Sequence, residues 1–287
     1  MKSTPPSLYA TVTNAIIEEM EQGAVPWVKP WKNRASIPYN AVSQKEYSGM
    51  NVLLLWRYAF LYGYTTPAWA TIRQINELGG RVKKGTHGAQ IVFYTLREKE
   101  DEATGAVEKI PVLRSYHVFN IEQCEGLPAR LYSQVVLPVD FPAVQELLAR
   151  VGAHVVHTGN EACFIPSLDR IHIPLPEQFS SPEHYFATLL HEHIHWSGDK
   201  KRLARDFGKR FGDHAYAAEE LVAELGAAFL CAHFGIPGEL RHAGYLQHWV
   251  SLMKEDKRAI FTAATQAQQA SEYLLTLPVL PATEAAV

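Results

Sequence analysis

Five consecutive residues, His191-Glu192-His193-Ile194-His195, carry the densest chemistry in the sequence. The pattern His-Glu-x-x-His sets two imidazoles four residues apart. On a helix, His191 and His195 then project from one face, one turn apart, and can reach a single metal ion. Glu192, beside the first ligand, stands where a general base for a metal-bound water is needed. His193 lies two positions from each and faces another way, so it is not counted as a ligand. Further along, Glu219-Glu220-Leu221-Val222-Ala223-Glu224 places Glu220 and Glu224 on one face of an otherwise apolar helix. Buried carboxylates are costly unless paired or metal-bound. Glu220 as third ligand of a His2Glu site, with Glu224 orienting a ligand imidazole from behind, accounts for both. Glu219 can exchange roles with Glu220 at this level. Tyr216, His214 and His184 are the candidates for stabilising an oxyanion, and nothing in the sequence chooses among them. The metal expected is Zn2+, or another divalent ion.

These residues need elements to hold them. A helix from Pro182 to Trp196 carries the motif and one from Ala215 to Phe234 the glutamates. Short strands at His154 to His157, Ala162 to Pro166 and Arg170 to Pro174 precede the metal helix. They supply a sheet edge on which an extended polypeptide can lie, as zincin folds require. Helices are also expected at Pro142 to Val151, Gly238 to Lys254 and Lys257 to Leu277. The front half is mixed. Leu8, Val12, Ile16 and Met20 mark an amphipathic helix from Ser7 to Gly23. Met50 to Tyr62 reads as a buried helix that includes Trp56, and Ala70 to Leu78 as a short one closed by Gly79-Gly80. Strands at Gln90 to Thr95 and Ile110 to Asn120 flank a polar segment from Arg97 to Lys109, the pattern of a long hairpin with an exposed tip. The fold class is α+β: a mixed domain over 1–130, a linker over 131–140, a mainly helical metal-binding domain with a small sheet over 141–280, and a disordered tail over 281–287.

Composition narrows the function. In 287 residues, 47% are hydrophobic and 20% charged, which excludes wholesale disorder and suits two compact domains. Cys124, Cys163 and Cys231 form no Cys-x-x-Cys pair, which argues against thiolate zinc or a disulfide framework and fits a reducing compartment. No apolar run reaches the ~20 residues of a membrane span, and no signal pattern opens the chain, so a cytoplasmic protein without membrane partners is expected. Charge is uneven: residues 1–95 carry 10 basic against 5 acidic residues, whereas residues 131–287 carry 12 against 18. A basic front half suggests a polyanion-binding module. Trp27, Trp31, Tyr47 and Trp69 alternate with Lys29, Lys32, Arg34, Arg81, Lys83 and Lys84. That mixture suits a single strand whose bases stack on rings while its phosphates meet cations. Asn51 joins this set, with turn capping as its other reading. Lys83-Lys84-Gly85 with Gly88 reads as a turn that lets backbone approach phosphate.

Several blocks occur in a fixed order: Pro26-Trp27-Val28-Lys29-Pro30-Trp31, Tyr47-Ser48-Gly49-Met50-Asn51, Trp69-Ala70-Thr71 with Gln74, Gly79-Gly80-Arg81-Val82-Lys83-Lys84-Gly85, and Tyr116-His117-Val118-Phe119-Asn120-Ile121-Glu122-Gln123. This order resembles the ArdC antirestriction family of conjugative plasmids, whose N-terminal region is similar to that of the TraC primases. His191 to Gly198 and Glu219 to Leu230 are similar to the family's metallopeptidase-like domain, and the resemblance spans roughly residues 7 to 275. It implies a single-stranded-DNA-binding front domain, a zincin-like back domain, and protection of incoming plasmid DNA from restriction. A second reading is a zinc endopeptidase that cleaves a host protein, with the front domain serving only recruitment. Primase activity is set aside, because no acidic cluster suited to two-metal nucleotidyl transfer stands outside the zincin helices.

Overall fold

The computed structural model describes residues 7–23, 25, 27, 36–100, 107–132, 139–237 and 243–278, with the backbone alone at 97–100, 107–111 and 243. The tail expected over 281–287 and the centre of the expected linker lie outside these residues. Contacts divide the chain into two compact units, Met1–Val12 with Pro38–Val135, and Thr13–Ile37 with Val136–Val287. The segment Thr13–Ile37 therefore groups with the second unit rather than with the front domain. The division falls within the first helix, α1 (Leu8–Glu21), which buries Val12, Ile16, Ile17 and Met20.

The first unit contains β1 (Tyr39–Asn40), α2 (Met50–Tyr62), β2 (Ala68–Ala70), α3 (Ile72–Glu77), β3 (Arg81–Val82), β4 (Ala89–Glu100), β5 (Val107–Asn120) and β6 (Cys124–Glu125). Its main sheet has the order β1-β2-β5-β4, and β3 pairs with β6. Helix α3 starts later than the sequence suggests, because Thr71 caps it. The Thr71 hydroxyl accepts from the Gln74 N–H, and the Gln74 side chain accepts from the Thr71 N–H at 3.0 Å. The hairpin is longer than its apolar runs, with pairing from Ala89 opposite Val118 out to Glu100 opposite Val107. Leu55, Ala59, Trp69, Ala89 and Val118 form the core between α2 and the sheet. Among the described residues, β1 and β4 are the two edges of this sheet. At β4 the Asn51 side chain donates to the Val92 carbonyl and accepts from the Val92 N–H, both at 2.8 Å, as a neighbouring strand would.

The second unit contains α4 (Phe141–Val151), β7 (His154–His157), β8 (Cys163–Ile165), β9 (Arg170–Ile173), α5 (Pro182–Ser197), α6 (Gly208–Phe211), α7 (Ala215–His233), α8 (Leu246–Glu255) and α9 (Ala259–Thr276). β9 is central, parallel to β7 and antiparallel to β8, which leaves β8 as an edge. Helix α7 runs between α5 and α9 and is buried along most of its length. Gly226 makes this possible on the α5 side: a Cβ there would lie 2.7 Å from Ile194 Cδ1. The absence of a side chain lets the two helices approach closely. Among the described residues, no helix is long and apolar enough to cross a membrane.

Candidate metal centre and basic turn

Helix α5 begins at Ser181, whose hydroxyl accepts from the His184 N–H, with Pro182 in the first turn. This fixed start carries His191 and His195 onto the face that meets α7. The two Nε2 atoms are 3.1 Å apart. Glu220, from α7, brings Oε2 to 3.7 Å from His191 Nε2 and Oε1 to 3.4 Å from His195 Nε2. Ligand atoms about 2.1 Å from a tetrahedral ion stand about 3.4 Å from one another, so these three groups fit a divalent cation. Two imidazole nitrogens at hydrogen-bond distance beside a carboxylate also require a proton or a cation between them. Among the described residues, His191, His195 and Glu220 are the group of three whose ligand atoms converge in this way.

The surrounding shell separates the remaining candidates. Glu219 meets the opposite nitrogen of His195, with Oε1 at 3.2 Å from Nδ1, and so orients that imidazole from behind. Burial works to raise the Glu219 pKa, but His195 and Arg205 outweigh it and hold the carboxyl below its usual range. Glu224, only 1% exposed, lies 3.7 Å from His191 Nδ1 and stands behind the other ligand. His193 is buried outside the triad, its Nδ1 2.7 Å from the Leu189 carbonyl, and burial pushes its pKa down to about 4.

Arg205 carries no mark in the sequence that ties it to this site. Its guanidinium donates to Glu219 at 2.6 and 3.1 Å, to the Ser197 hydroxyl at 2.9 Å and to the Ile194 carbonyl at 2.6 Å. A Cβ at Gly198 would lie 2.6 Å from Arg205 Cζ, so the glycine ending the His-Trp-Ser-Gly run makes room for this arginine.

The triad opens into a cleft of about 1020 Å³, lined by Glu192, by Cys163 and Phe164 of the edge strand β8, and by Tyr216 and Tyr245. The Tyr216 and Tyr245 hydroxyls are 3.0 Å apart. Burial, the Tyr245 hydrogen bond and the Glu220 charge all raise the Tyr216 pKa. His184 also lines the cleft, whereas His214 pairs with Glu255 at 3.1 Å and does not. All three cysteines are free thiols.

The expected nucleic-acid residues fare differently. Trp27 is 4% exposed and packs on Trp249, with ring centroids 5.9 Å apart, within the second unit. Trp69 is 1% exposed in the core of the first. Neither offers a face to a base, because each ring is needed to fill a core; this corrects the sequence expectation. Asn51 spends its amide on the β4 edge, which removes it from the contact set as well. Tyr47 is half-buried against the α2 core. Arg81 pairs with Glu125 at 2.6 Å across β3 and β6. Lys83 and Lys84 are exposed at a turn with Gly85 in the left-handed region (φ 84°), and the Lys83 ammonium donates to the Glu122 carbonyl at 2.8 Å. Lys29, Trp31, Lys32 and Arg34 lie outside the described residues.

An α+β chain with a His2Glu triad between two buried helices and a sheet edge along the cleft defines a zincin-like protein. Residues 142–266 match the zincin-like metallopeptidase family, and residues 6–119 match the N-terminal domain of the anti-restriction factor ArdC. The crystal structure of the metal-free antirestriction protein ArdC from plasmid R388 is 40% identical, with a TM-score of 0.83 over 94% of this chain and 97% of that one. Its Mn(II)-bound form is 39% identical, with a TM-score of 0.79 over the same shares. The uncharacterised protein y4eC of Sinorhizobium fredii is 36% identical over 94% of this chain and 92% of its own length. The DNA primase TraC of Escherichia coli is 34% identical over 92% of this chain but only 26% of its own length. The chain belongs to the ArdC antirestriction family.

Proposed function

We propose that this protein binds single-stranded DNA and protects incoming plasmid DNA from restriction during conjugation, in the cytoplasm, with a Zn2+-binding metallopeptidase-like centre in its second unit. The observation that carries the reading is the likeness to an antirestriction protein over both units at once. Sequence-independent binding suits a protein that must cover arbitrary DNA. In the first unit, Lys83 and Lys84 are the phosphate contacts, with Arg81 nearby on β3 and Tyr47 as a further candidate contact.

His191, His195 and Glu220 would hold the ion, while Glu219 and Glu224 fix the two imidazoles from behind. A divalent ion held there supplies Lewis acidity toward water or a carbonyl. Glu192, lining the cleft beside the ligand pair, is the carboxylate that accepts a proton. Backbone groups along β8 align an extended chain across the cleft. That edge and Glu192 together favour a second reading, in which the protein is an endopeptidase acting on a host protein and the first unit serves recruitment.

The deciding experiment measures restriction of incoming unmodified DNA in cells carrying the parent, Glu192→Gln, or Lys83→Ala with Lys84→Ala. Protection kept by Glu192→Gln and lost with the lysines supports DNA binding as the protective activity. Protection lost in Glu192→Gln, with single-strand binding and metal content intact, supports the protease.

A further inference from the structure

Among the described residues of the first unit, Trp56 and Trp69 are buried, and the exposed aromatic rings are Phe60 and several tyrosines. Tyr58 and Tyr62 are one turn apart at the end of α2, with ring centroids 4.5 Å apart. Gly63 then adopts a left-handed conformation (φ 72°), and the Tyr64 N–H returns to the Ala59 carbonyl at 2.9 Å. This reversal sets the Tyr64 ring beside the others, within 15° of parallel to Tyr62 at 6.0 Å and within 25° of Tyr58 at 6.4 Å. Trp69 closes the group from the core side, edge-on to Tyr58 and Tyr64. Tyr62, on the outside, is 56% exposed.

This ladder is tied to the basic turn. The Tyr58 hydroxyl donates to the His87 carbonyl, and Gln123 Nε2 donates to the same oxygen at 2.7 Å. The segment from Lys83 to Gly88 is thereby anchored against the ring group. Of the acidic side chains here, Glu125 pairs with Arg81, and Glu122 turns its carboxylate toward the Thr65 and Thr66 N–H groups and the Thr65 hydroxyl, at 2.7 to 2.9 Å. Lys83 and Lys84, in the segment so anchored, are exposed, and the Lys83 ammonium donates to the Glu122 carbonyl.

We infer that Tyr58, Tyr62 and Tyr64 form the base-stacking platform of this unit, with a base on the outer face of Tyr62 and the neighbouring phosphates on Lys83 and Lys84. The inference rests on the single-stranded-DNA reading and names the site that reading requires. Rings held by one another and by the core lose little freedom on binding. A π-face accepts any base, but only an unpaired one, since a duplex keeps its faces stacked inside. Cations beside the rings fit a polyanion rather than an apolar peptide.

The test titrates fluorescent oligo-dT, and the same strand with abasic sites, against the full chain and its Tyr62→Ala, Tyr62→Leu and Tyr62→Phe variants. At 56% exposure, Tyr62 can be replaced without opening the core. Tyr62→Ala and Tyr62→Leu should weaken oligo-dT binding about 5- to 30-fold, Tyr62→Phe should stay near the parent, and the salt slope should not change. On the abasic strand all four proteins should bind alike. Tyr62→Ala binding like the parent, or weakening equally on both strands, overturns the inference. If that happens while Lys83→Ala with Lys84→Ala still weakens binding, the DNA reading stands without it. If the parent binds no single strand, both fall.

Discussion

Arg205 and Glu219 are joined by two hydrogen bonds of 2.6 and 3.1 Å, and this pair stands directly behind His195, on the side away from the metal position. The arginine side chain is 1% exposed and also closes the end of α5 through Ser197 and Ile194. A loop residue thus fixes a carboxylate, and the carboxylate fixes an imidazole that faces the candidate metal position.

Glu219→Gln should leave the triad in place while lowering metal affinity about 10- to 100-fold, because it weakens the partner that orients and polarises His195. Glu220→Gln should cost far more, since a ligand is lost. Competition against a chelator separates the two. Equal affinities would place Glu219 among the ligands.

Arg205→Ala leaves Glu219 without its cation in a largely buried place. Destabilisation of roughly 2–4 kcal/mol is expected by denaturant unfolding, less than for a fully buried pair because the Glu219 side chain is 26% exposed.

Gly226→Ala forces a Cβ against Ile194. A cost of about 1–3 kcal/mol is expected, together with weaker metal binding, because α7 must move away from α5 and carry Glu220 with it. Unchanged stability and affinity would show that the helices separate without disturbing the triad.

Metal and proton compete for His195. Burial disfavours the charged imidazole, but Glu219 and Glu220 outweigh it and hold the pKa up at about 10. A folded pKa above the unfolded value of about 6.5 means that, in the metal-free protein, this proton contributes stability in full below pH 6.5. The contribution is lost as pH rises through about 10. Metal binding at pH 7 should therefore release about one proton, and affinity should rise with pH from 7 to 10. Calorimetry in buffers of different ionisation enthalpy measures the release, and a heat independent of buffer would contradict it.

Asp169, in the turn between β8 and β9, is held below the usual carboxylate range by hydrogen bonds from Arg202 first and Lys201 second, with burial opposing them. Arg202 reaches it at 2.7 Å while lying 3.9 Å over the Trp196 ring, which ties the turn to the end of the metal helix. A depressed folded pKa contributes stability above about pH 3.8 that is lost as pH falls through the folded value. Asp169→Asn should lower the melting temperature at pH 6 and flatten its fall toward pH 3.

The convergence of His191, His195 and Glu220 is legible because helical spacing alone brings the two histidines together, and because a glutamate in an apolar helix needs a reason. The choice of Glu220 over Glu219 is not, since neighbours in a helix differ by only 100° of rotation and the packing of α7 on α5 decides which points inward. Arg205 sits in a connection without periodicity, so nothing local marks it. Trp27 misled because prolines and lysines around it suggest a surface, whereas its partner Trp249 lies 222 positions away in sequence. The hairpin was underestimated because charged residues extend it. The backbone register sets Glu98 opposite Lys109 and Lys99 opposite Glu108, residue types that read as a loop in one dimension although the ladder runs through them.

The side-chain amide that Asn51 lays along β4 has a consequence for how copies of this protein behave in company. A long hairpin with an open flank is a template for strand exchange and for fibril growth, since any extended segment can continue its ladder. Asn51 fills the N–H and carbonyl of Val92 and so interrupts that template near its buried end. Asn51→Ala would bare that pair of groups, and is expected to raise light scattering in concentrated solutions above that of the parent.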